Sequence, residues 1–283
     1  MQDHELLQKY LEGERNFGGV NLAHLNLAGA YLAGANLIGA NLMEANLPVA
    51  YLASAVISRA NLMGANLNQS FLRGVDLRFT RLGMSNLAGS DLTKADLRGA
   101  FLVKAVLDAA QMSGVALIGA NLRQASLKEC NLSAANLSDS NLRSANLRGA
   151  NLSWANLTHA RLIEATLEGA VLNGVKLCRA YLIQVELLGA DLGSVDLSGA
   201  HLKGANLRQS NLSGANLQDA HLQLANLGQA DLRAANLSGA NLQGADLTDV
   251  LLERARYTQQ TLFPLNFDPS AHGASFIDEL VAA

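Results

Sequence analysis

The sequence is poor in three kinds of residue that shape ordinary globular proteins. Aromatic residues make up 5% of its 283 residues, and there are only three prolines and two cysteines. So few rings exclude a core built mainly on large aromatic side chains. The cysteines, Cys130 and Cys178, give neither a disulfide framework nor the spacing of a metal site. We therefore expect no metal and no other cofactor.

The chain also lacks a strong charge of either sign and a long apolar run. Its formal net charge is −3, which argues against electrostatic capture of nucleic acid or of an anionic membrane by the whole molecule. No apolar run is long enough to span a bilayer, and residues 1–10 lack the apolar centre of a signal peptide. We expect a cytoplasmic protein that binds neither nucleic acid directly nor a membrane.

The dominant feature is a leucine at every fifth residue. Of the 47 positions in this register from Leu22 to Leu252, 45 are leucine, and the exceptions are Ile57 and Met112. The position two before the leucine is alanine in 32 of 47 cases, and the position just before it is asparagine or aspartate in 29 of 48. Glycine is frequent two positions after it. The unit Ala-Asn-Leu-x-Gly runs without a slip over residues 15–254.

A period of five fits neither an α-helix nor a plain strand. A helix would rotate successive leucines by about 140° and spread them around its whole surface. A straight strand would place them on alternate faces. The pattern is explained if each pentapeptide is a short extended side, with alanine and leucine inward and asparagine outward, followed by a corner that glycine suits. We predict an all-β solenoid filled with leucine.

Bulky residues indicate how many sides make one coil. Tyr31, Tyr51 and Phe71 occupy the same slot at intervals of 20 residues. Four of the seven valines in the small-residue slot also share one side if a coil takes 20 residues, but they scatter if it takes 15; these are Val75, Val115, Val175 and Val195. The spacing favours square coils of four pentapeptides over triangular ones.

The run of (Ala/Ser)-(Asn/Asp)-Leu-x-x units resembles the pentapeptide-repeat protein family, and it covers 240 of the 283 residues. The resemblance implies a right-handed quadrilateral β-helix, here of about 12 coils. Residues 6–17 resemble the start of cyanobacterial members of the family, which include a regulator of heterocyst differentiation. Residues 261–269 resemble the end of other cyanobacterial members.

Both ends of such a solenoid need caps, since open strand edges promote polymerisation. We expect residues 1–14 to form an N-terminal cap, with Asp3 as the N-cap of a helix over residues 3–13 that Gly13 ends. The apolar face of this helix comprises Leu6, Leu7, Tyr10 and Leu11.

Residues 255–283 lose the repeat and are expected to form a C-terminal cap. Phe263, Pro264, Phe267 and Pro269 suggest a loop folded over the last coil, and residues 276–281 a short helix. Capping is one interpretation of this segment. The other is homodimerisation through it, which the topoisomerase-binding members of the family suggest, so the protein is expected to be a monomer or such a homodimer.

Two surface features are candidate partner-binding sites. Tyr31, Tyr51 and Phe71 should form an outward stripe, and apolar corner residues such as Met43 and Met63 add to the apolar surface of the first third. The stripe is either a protein-binding face or a ladder that only stabilises the coils.

The second candidate is a basic cluster at equivalent corners of successive coils. It comprises Arg123, Arg143 and Arg148, with Lys128 beside them. A solvated face neutralised by Glu129 and Asp139 is the simpler interpretation, and a site for an acidic partner surface is the alternative.

Little in the sequence points to catalysis. His201 and His221 lie 20 residues apart in one outward slot, but two ligands do not make a closed metal site. A filled interior offers no pocket for a carboxylate pair. We therefore predict a non-enzymatic protein–protein interaction scaffold with a regulatory role. The resemblance implies an alternative, a DNA-mimicking modulator of a type II topoisomerase such as gyrase, but that role needs a strongly negative surface.

Overall fold

The computed structural model of the protein describes residues 2–278, which form a stack of coils with a helix at one end and a short strand pair at the other. Helix α1 spans Asp3–Leu11, strand β1 spans Arg256–Tyr257 and strand β2 spans Ser275–Phe276. Between α1 and β1 the chain advances by isolated parallel bridges. No helix within residues 2–278 is long and apolar enough to cross a membrane.

Each coil takes four pentapeptides. Bridges join residues 20 apart, from Asn16 with Asn36 onward to Asn236 with Arg256, and all of them are parallel. In general the N–H of an inward leucine donates to the carbonyl of the outward residue in the next coil, as Leu37 does to Val56 (2.7 Å). The N–H of that outward residue donates back to the first coil, as Val56 does to Ala35 (2.9 Å). The 20-residue offset agrees with the spacing of Tyr31, Tyr51 and Phe71. A count of about twelve coils remains a prediction of the sequence.

The corners have a left-handed backbone. Every residue two positions after the central leucine, from Gly19 to Arg254, has a φ between +54° and +70°. The N–H of the next residue bonds back to the leucine carbonyl, as for Ala40 to Leu37 (3.0 Å), which closes a turn with positive φ at its second central residue. More than half of these corners are not glycine, and even Val49 has a φ of +56°. The surrounding ladder therefore holds residues that would avoid this conformation on their own.

The interior is solid. Every side chain in the leucine slot from Leu22 to Leu252 is at most 7% exposed, and most alanines opposite are fully buried. A fully buried leucine contributes about 1.5–3 kcal/mol, so the stack is stable without aromatic residues inside. Outside, asparagine side chains join successive coils, as when the Asn41 amide donates to Asn21 (2.9 Å).

Polar residues in the small inward slot are buried and bond to the nearest main chain. The hydroxyl of Ser210 donates to the carbonyl of Leu207 at 2.7 Å, and Ser70, Ser85 and Ser90 do the same with their own leucines. Ser140 occupies the same slot, but its buried hydroxyl has no hydrogen-bond partner in the described part of the chain.

Cys130 lies in this inward slot and is fully buried, as predicted. Its thiol donates to the carbonyl of Leu107 at 2.8 Å, and burial raises the pKa of Cys130 to about 12. Cys178 lies at a corner, is half-buried and accepts a bond from the Ser198 hydroxyl at 3.3 Å.

Helix α1 covers the first coil with part of its apolar face. Leu6 and Tyr10 are buried, and the Tyr10 hydroxyl donates to the carbonyl of Ala33 at 2.8 Å. Two expectations about this helix are wrong. Its N-cap residue is Gln2, because Asp3 already lies in the first turn. Leu11 does not pack inward and is 84% exposed, since it lies at the end of the helix.

The C-terminal segment packs an aromatic cluster beside the last coil. Tyr257 contacts Phe263 and Phe276 edge-on at centroid distances of 5.5 and 5.6 Å. Phe276 lies in β2, which pairs in parallel with β1, so the expected helix does not begin there. The rest of that expected helix, beyond residue 278, lies outside the described residues.

We predict that two matched serine substitutions differ in their effect on stability. Ser140→Ala removes an unpaired buried hydroxyl and should raise the free energy of unfolding by about 1 kcal/mol. Ser210→Ala removes a hydroxyl that has a partner and should leave stability unchanged or lower it by about 1 kcal/mol. Urea denaturation of both variants beside the wild type tests this. A destabilised Ser140→Ala protein would show that the hydroxyl has a partner in solution.

The two thiols should differ in reactivity. A thiol reagent at pH 8 should label Cys178 in the native protein and reach Cys130 only after denaturation, because Cys130 is enclosed and remains protonated at that pH. Counting modified thiols by mass spectrometry in buffer and in urea measures this. The control is Cys178→Ser, whose native form should not react; fast native labelling of this variant would contradict the burial of Cys130.

Candidate partner-binding surfaces

The aromatic stripe is present on the outside of the first coils. Tyr31 and Tyr51 have a centroid distance of 5.9 Å, and Tyr51 and Phe71 stack at 4.5 Å with nearly parallel planes. The three rings are 60%, 41% and 40% exposed. Tyr10 of α1 meets Tyr31 edge-on at 6.1 Å, and the Arg15 guanidinium lies 3.8 Å from the Tyr10 ring centre. The stripe thus continues into the N-terminal cap, which sequence reasoning did not anticipate.

Met43 and Met63 do not join this stripe. They lie at the corner that follows Asn41 and Asn61, and the register places the stripe on a side that does not border this corner. Met63 instead lines a separate apolar hollow of about 450 Å³, together with Arg81, Gly83, Phe101 and Val103. The apolar surface of the first third is therefore divided between two places around the rod.

The basic cluster is largely paired with carboxylates of the next coil. Arg143 contacts Glu164 at 3.0 Å and Arg148 contacts Glu168 at 3.1 Å. The expected neutralising residues, Glu129 and Asp139, are not their partners. Arg123 has no ion pair within residues 2–278. Two of the three candidate arginines are thus occupied by the protein itself, because the coil spacing brings residues about 20 apart into contact.

Several outward aspartates are paired with an arginine two residues further on. Asp76 accepts bonds from Arg78 at 2.8 and 2.9 Å, and Asp231 accepts bonds from Arg233 at 2.7 and 2.9 Å. The hydrogen bond from each arginine lowers the pKa of its aspartate. Asp96 and Arg98 repeat the arrangement at 2.6 Å. These pairs break up what would otherwise be a negative surface.

A second stack lies in the latter half of the rod. Tyr181 stacks on His201 at 4.6 Å, and His201 stacks on His221 at 4.8 Å. Partial burial, and then the neighbouring His221, lower the pKa of His201 below its usual 6.5. Among the described residues no cluster of three or more His, Cys, Asp or Glu side chains could hold a metal ion.

The hydrogen-bond ladder is interrupted at one place that sequence reasoning missed. From Glu164 through Val175 the close main-chain hydrogen bonds to the next coil are missing, although Thr166 still bridges Glu186. The bonds are regular before this stretch, at Leu162 with Tyr181, and after it, at Leu177 with Asp196. The bridge between Val171 and Asp191 is missing from the series. We call this interruption the open seam; residues 164–175 are its lower lip and residues 184–196 its upper lip.

Within each lip the corner turns keep their hydrogen bonds, although close bonds between the two lips are missing. The N–H of Ala170 still bonds to Leu167 (2.9 Å), and that of Ala190 to Leu187 (3.0 Å). The outward slot carries Thr166 opposite Glu186, whereas elsewhere two asparagines can face each other, as Asn136 faces Asn156. The slot lacks asparagine here, but it also lacks asparagine over residues 91–116, where the ladder is complete, so the sequence carries no specific signal of the interruption.

The side chains of the lips bond away from the seam. Glu164 and Glu168 of the lower lip are held by Ser144, Arg143 and Arg148 of the coil below. On the upper lip, Glu186 accepts from Asn206 (2.7 Å) and Asp191 from Asn211 (2.8 Å), both of the coil above. Four carboxylates thus border the seam; Glu164 and Glu168 are paired with arginines, whereas Glu186 and Asp191 have no ion pair within residues 2–278.

The histidine stack should make stability depend on pH. Because the pKa of His201 is lowered in the folded state, the unfolded chain binds protons more readily below about pH 6.5, and stability falls on acidification. We expect His201→Asn to reduce the drop in urea midpoint between pH 7.5 and pH 5.5. Tyr181→Asn, which keeps His201 but removes the ring that partly covers it, should reduce the drop by a smaller amount. An identical pH response of His201→Asn and the wild type would refute this.

Comparison with known proteins identifies relatives of the same repeat. The chain is 35% identical to HetL, a pentapeptide repeat protein involved in heterocyst differentiation regulation from the cyanobacterium Nostoc, over 90% of this chain and 96% of HetL, with a TM-score of 0.35. A second Nostoc pentapeptide repeat protein is 39% identical over 35% of this chain and 86% of its own, with a TM-score of 0.21. A trypsin-treated form of QnrB1, a plasmid-mediated fluoroquinolone resistance protein, is 16% identical over 80% and 89%, with a TM-score of 0.27.

Comparison with curated proteins returns no match. The family model for pentapeptide repeats, in contrast, matches nearly the whole solenoid, in residues 16–48, 50–78, 85–124, 125–162, 160–199, 190–229 and 215–254. Proteins of this family adopt a right-handed β-helix. With its unbroken repeat, its 20-residue coils and this match, the chain belongs to the pentapeptide-repeat family.

Proposed function

We propose that this chain is a non-catalytic scaffold that binds another protein on the outer surface of its rod, in a regulatory role. The observation that carries the proposal is the stripe of Tyr31, Tyr51 and Phe71, whose rings lie exposed on three consecutive coils. Aromatic side chains are enriched at the centres of protein interfaces. A rigid stack also binds with little loss of conformational entropy.

The filled interior supports a non-catalytic role. Leucines close the lumen along the rod, and the outward histidines and carboxylates belong to stacks, ladders and ion pairs. Enclosed pockets with converging polar groups are where catalysis is usually found. The free cysteines agree with the cytoplasmic location expected from the sequence.

The other candidate residues have a secondary place in the proposal. Arg123 is the member of the basic cluster that remains available to an acidic partner surface, whereas Arg143 and Arg148 would have to exchange Glu164 and Glu168 for it. Met43 and Met63 would contact a partner that extends around the rod beyond the stripe. Either a monomer or a homodimer through the C-terminal cap fits the proposal.

The regulatory part follows the resemblance of residues 6–17 to a regulator of heterocyst differentiation. The alternative role, mimicry of DNA toward a type II topoisomerase, stays second. A DNA mimic needs continuous negative charge, and here Asp76, Asp96 and Asp231 are each neutralised by an arginine two residues away.

Capture from a native lysate tests the scaffold. We expect Tyr31→Ser/Tyr51→Ser to lose a specific partner that the wild type retains. The matched control, Tyr181→Ser/His201→Ser, breaks a similar stack in the other half of the rod and should keep the partner. Thermal melting of all three proteins separates lost binding from lost folding.

Two results would contradict the proposal. If a folded stripe variant captures the same proteins as the wild type, the stripe is a ladder that only stabilises the coils. Inhibition of gyrase supercoiling by micromolar wild-type protein would favour the topoisomerase alternative.

A further inference from the structure

We propose that the open seam binds an extended, basic peptide segment of a partner protein, which pairs with the unbonded main-chain groups of the lips. The inference rests on the proposed function in treating the rod as a protein-binding scaffold. It concerns a different surface, because the seam lies many coils away from Tyr31, Tyr51 and Phe71.

The first support is the set of unpaired main-chain groups. Within residues 2–278 the N–H groups of Gly169 and Leu172 have no hydrogen-bond partner, and neither do the carbonyls that the ladder pattern would assign to them, those of Leu188 and Asp191. Main-chain groups beside an apolar core are costly to leave unpaired. An added extended segment offers alternating donors and acceptors, which is how peptides bind to open sheet edges.

The second support is the shape and floor of the opening. The seam contains a cavity of about 610 Å³. Its floor is the core itself, since Leu167 and Leu187 line it and the alanines beside them, Ala170 and Ala190, are only half-buried. Equivalent alanines such as Ala150 are fully buried. Leu188, 57% exposed, forms part of the rim. This apolar floor suits apolar side chains of a bound segment.

The third support is the negative charge of the cavity lining, which indicates that the bound segment is basic. Glu168, Glu186 and Asp191 line the cavity, and none of its lining residues is basic. Glu168 is already paired with Arg148 of the coil below, so Glu186 and Asp191, which have no ion pair within residues 2–278, carry the free negative charge. Lysine or arginine residues flanking a short apolar segment would therefore be attracted. The same lining disfavours nucleic acid and anionic lipid.

The seam itself is tested by hydrogen exchange in the free, full-length protein. Amides of the lips, residues 164–175 and 184–196, should exchange faster than those of residues 124–135, which lie at the equivalent positions two coils below the lower lip and have a complete ladder. Equal protection of the lips and of residues 124–135 would mean that the seam is closed in solution and would overturn the inference.

Binding is tested with a defined probe, acetyl-Lys-Val-Ala-Val-Lys-amide, and its acidic counterpart, acetyl-Glu-Val-Ala-Val-Glu-amide. We expect the basic peptide to slow exchange in both lips, to bind roughly tenfold more tightly than the acidic one, and to weaken with added salt. No protection at millimolar basic peptide, or equal binding of both peptides, would overturn the inference.

A pair of matched variants locates the site. Val171→Asn/Asp191→Asn places two asparagines across the seam, as in the intact ladders, and should slow exchange in the lips and weaken the basic peptide roughly tenfold. Val56→Asn/Asp76→Asn makes the same change at a Val–Asp bridge where the ladder is complete, and should leave peptide binding unchanged. Equal effects of the two variants would show that the peptide binds elsewhere.

The stripe variant keeps the two proposals distinguishable. Tyr31→Ser/Tyr51→Ser should bind the basic peptide as the wild type does, whatever it captures from a lysate. If it loses its partner but retains the peptide, the two surfaces act separately. If it loses the peptide as well, the seam is not the binding site.

Discussion

The stacking of inward leucines is the interaction on which the rest of the structure depends. Each pentapeptide must bury one leucine and one small residue and then turn the chain, so five residues are one side and four sides are one coil. This requirement sets the left-handed corners, even at residues such as Val49 that disfavour them. It also aligns the backbones so that ladders form along all four sides.

Because the interior is filled, the differences that matter for function lie outside. Where aromatic or histidine rings recur in one outward slot, the coil spacing stacks them, which yields the Tyr31–Tyr51–Phe71 stripe and the His201–His221 stack. The same spacing lets charges pair between coils, so Arg143 and Arg148 are occupied by Glu164 and Glu168. A rod of this kind offers its partners a fixed grid, and the open seam is where the grid has unpaired main-chain groups.

Much of the fold could be predicted because the repeat is local and regular. The slot of Cys130 placed it inside, and the spacing of Tyr31 and Tyr51 placed them on one stripe. The structure of the two caps was harder to predict, because residues outside the repeat have no register to follow. Leu11 was therefore expected to pack inward, although it is exposed, and Phe276 was expected in a helix, although it lies in a strand.

The period, the inward residues and the 20-residue coil follow from the order of the residues alone, because leucine burial repeats identically at every side. The contacts between neighbouring coils become known only from the folded chain: which arginines are neutralised, that Met63 lies away from the stripe, and that close ladder bonds are missing between residues 164–175 and 184–196. These contacts join residues about 20 apart, so their outcome depends on which two side chains meet and on the hydrogen bonds that each of them finds.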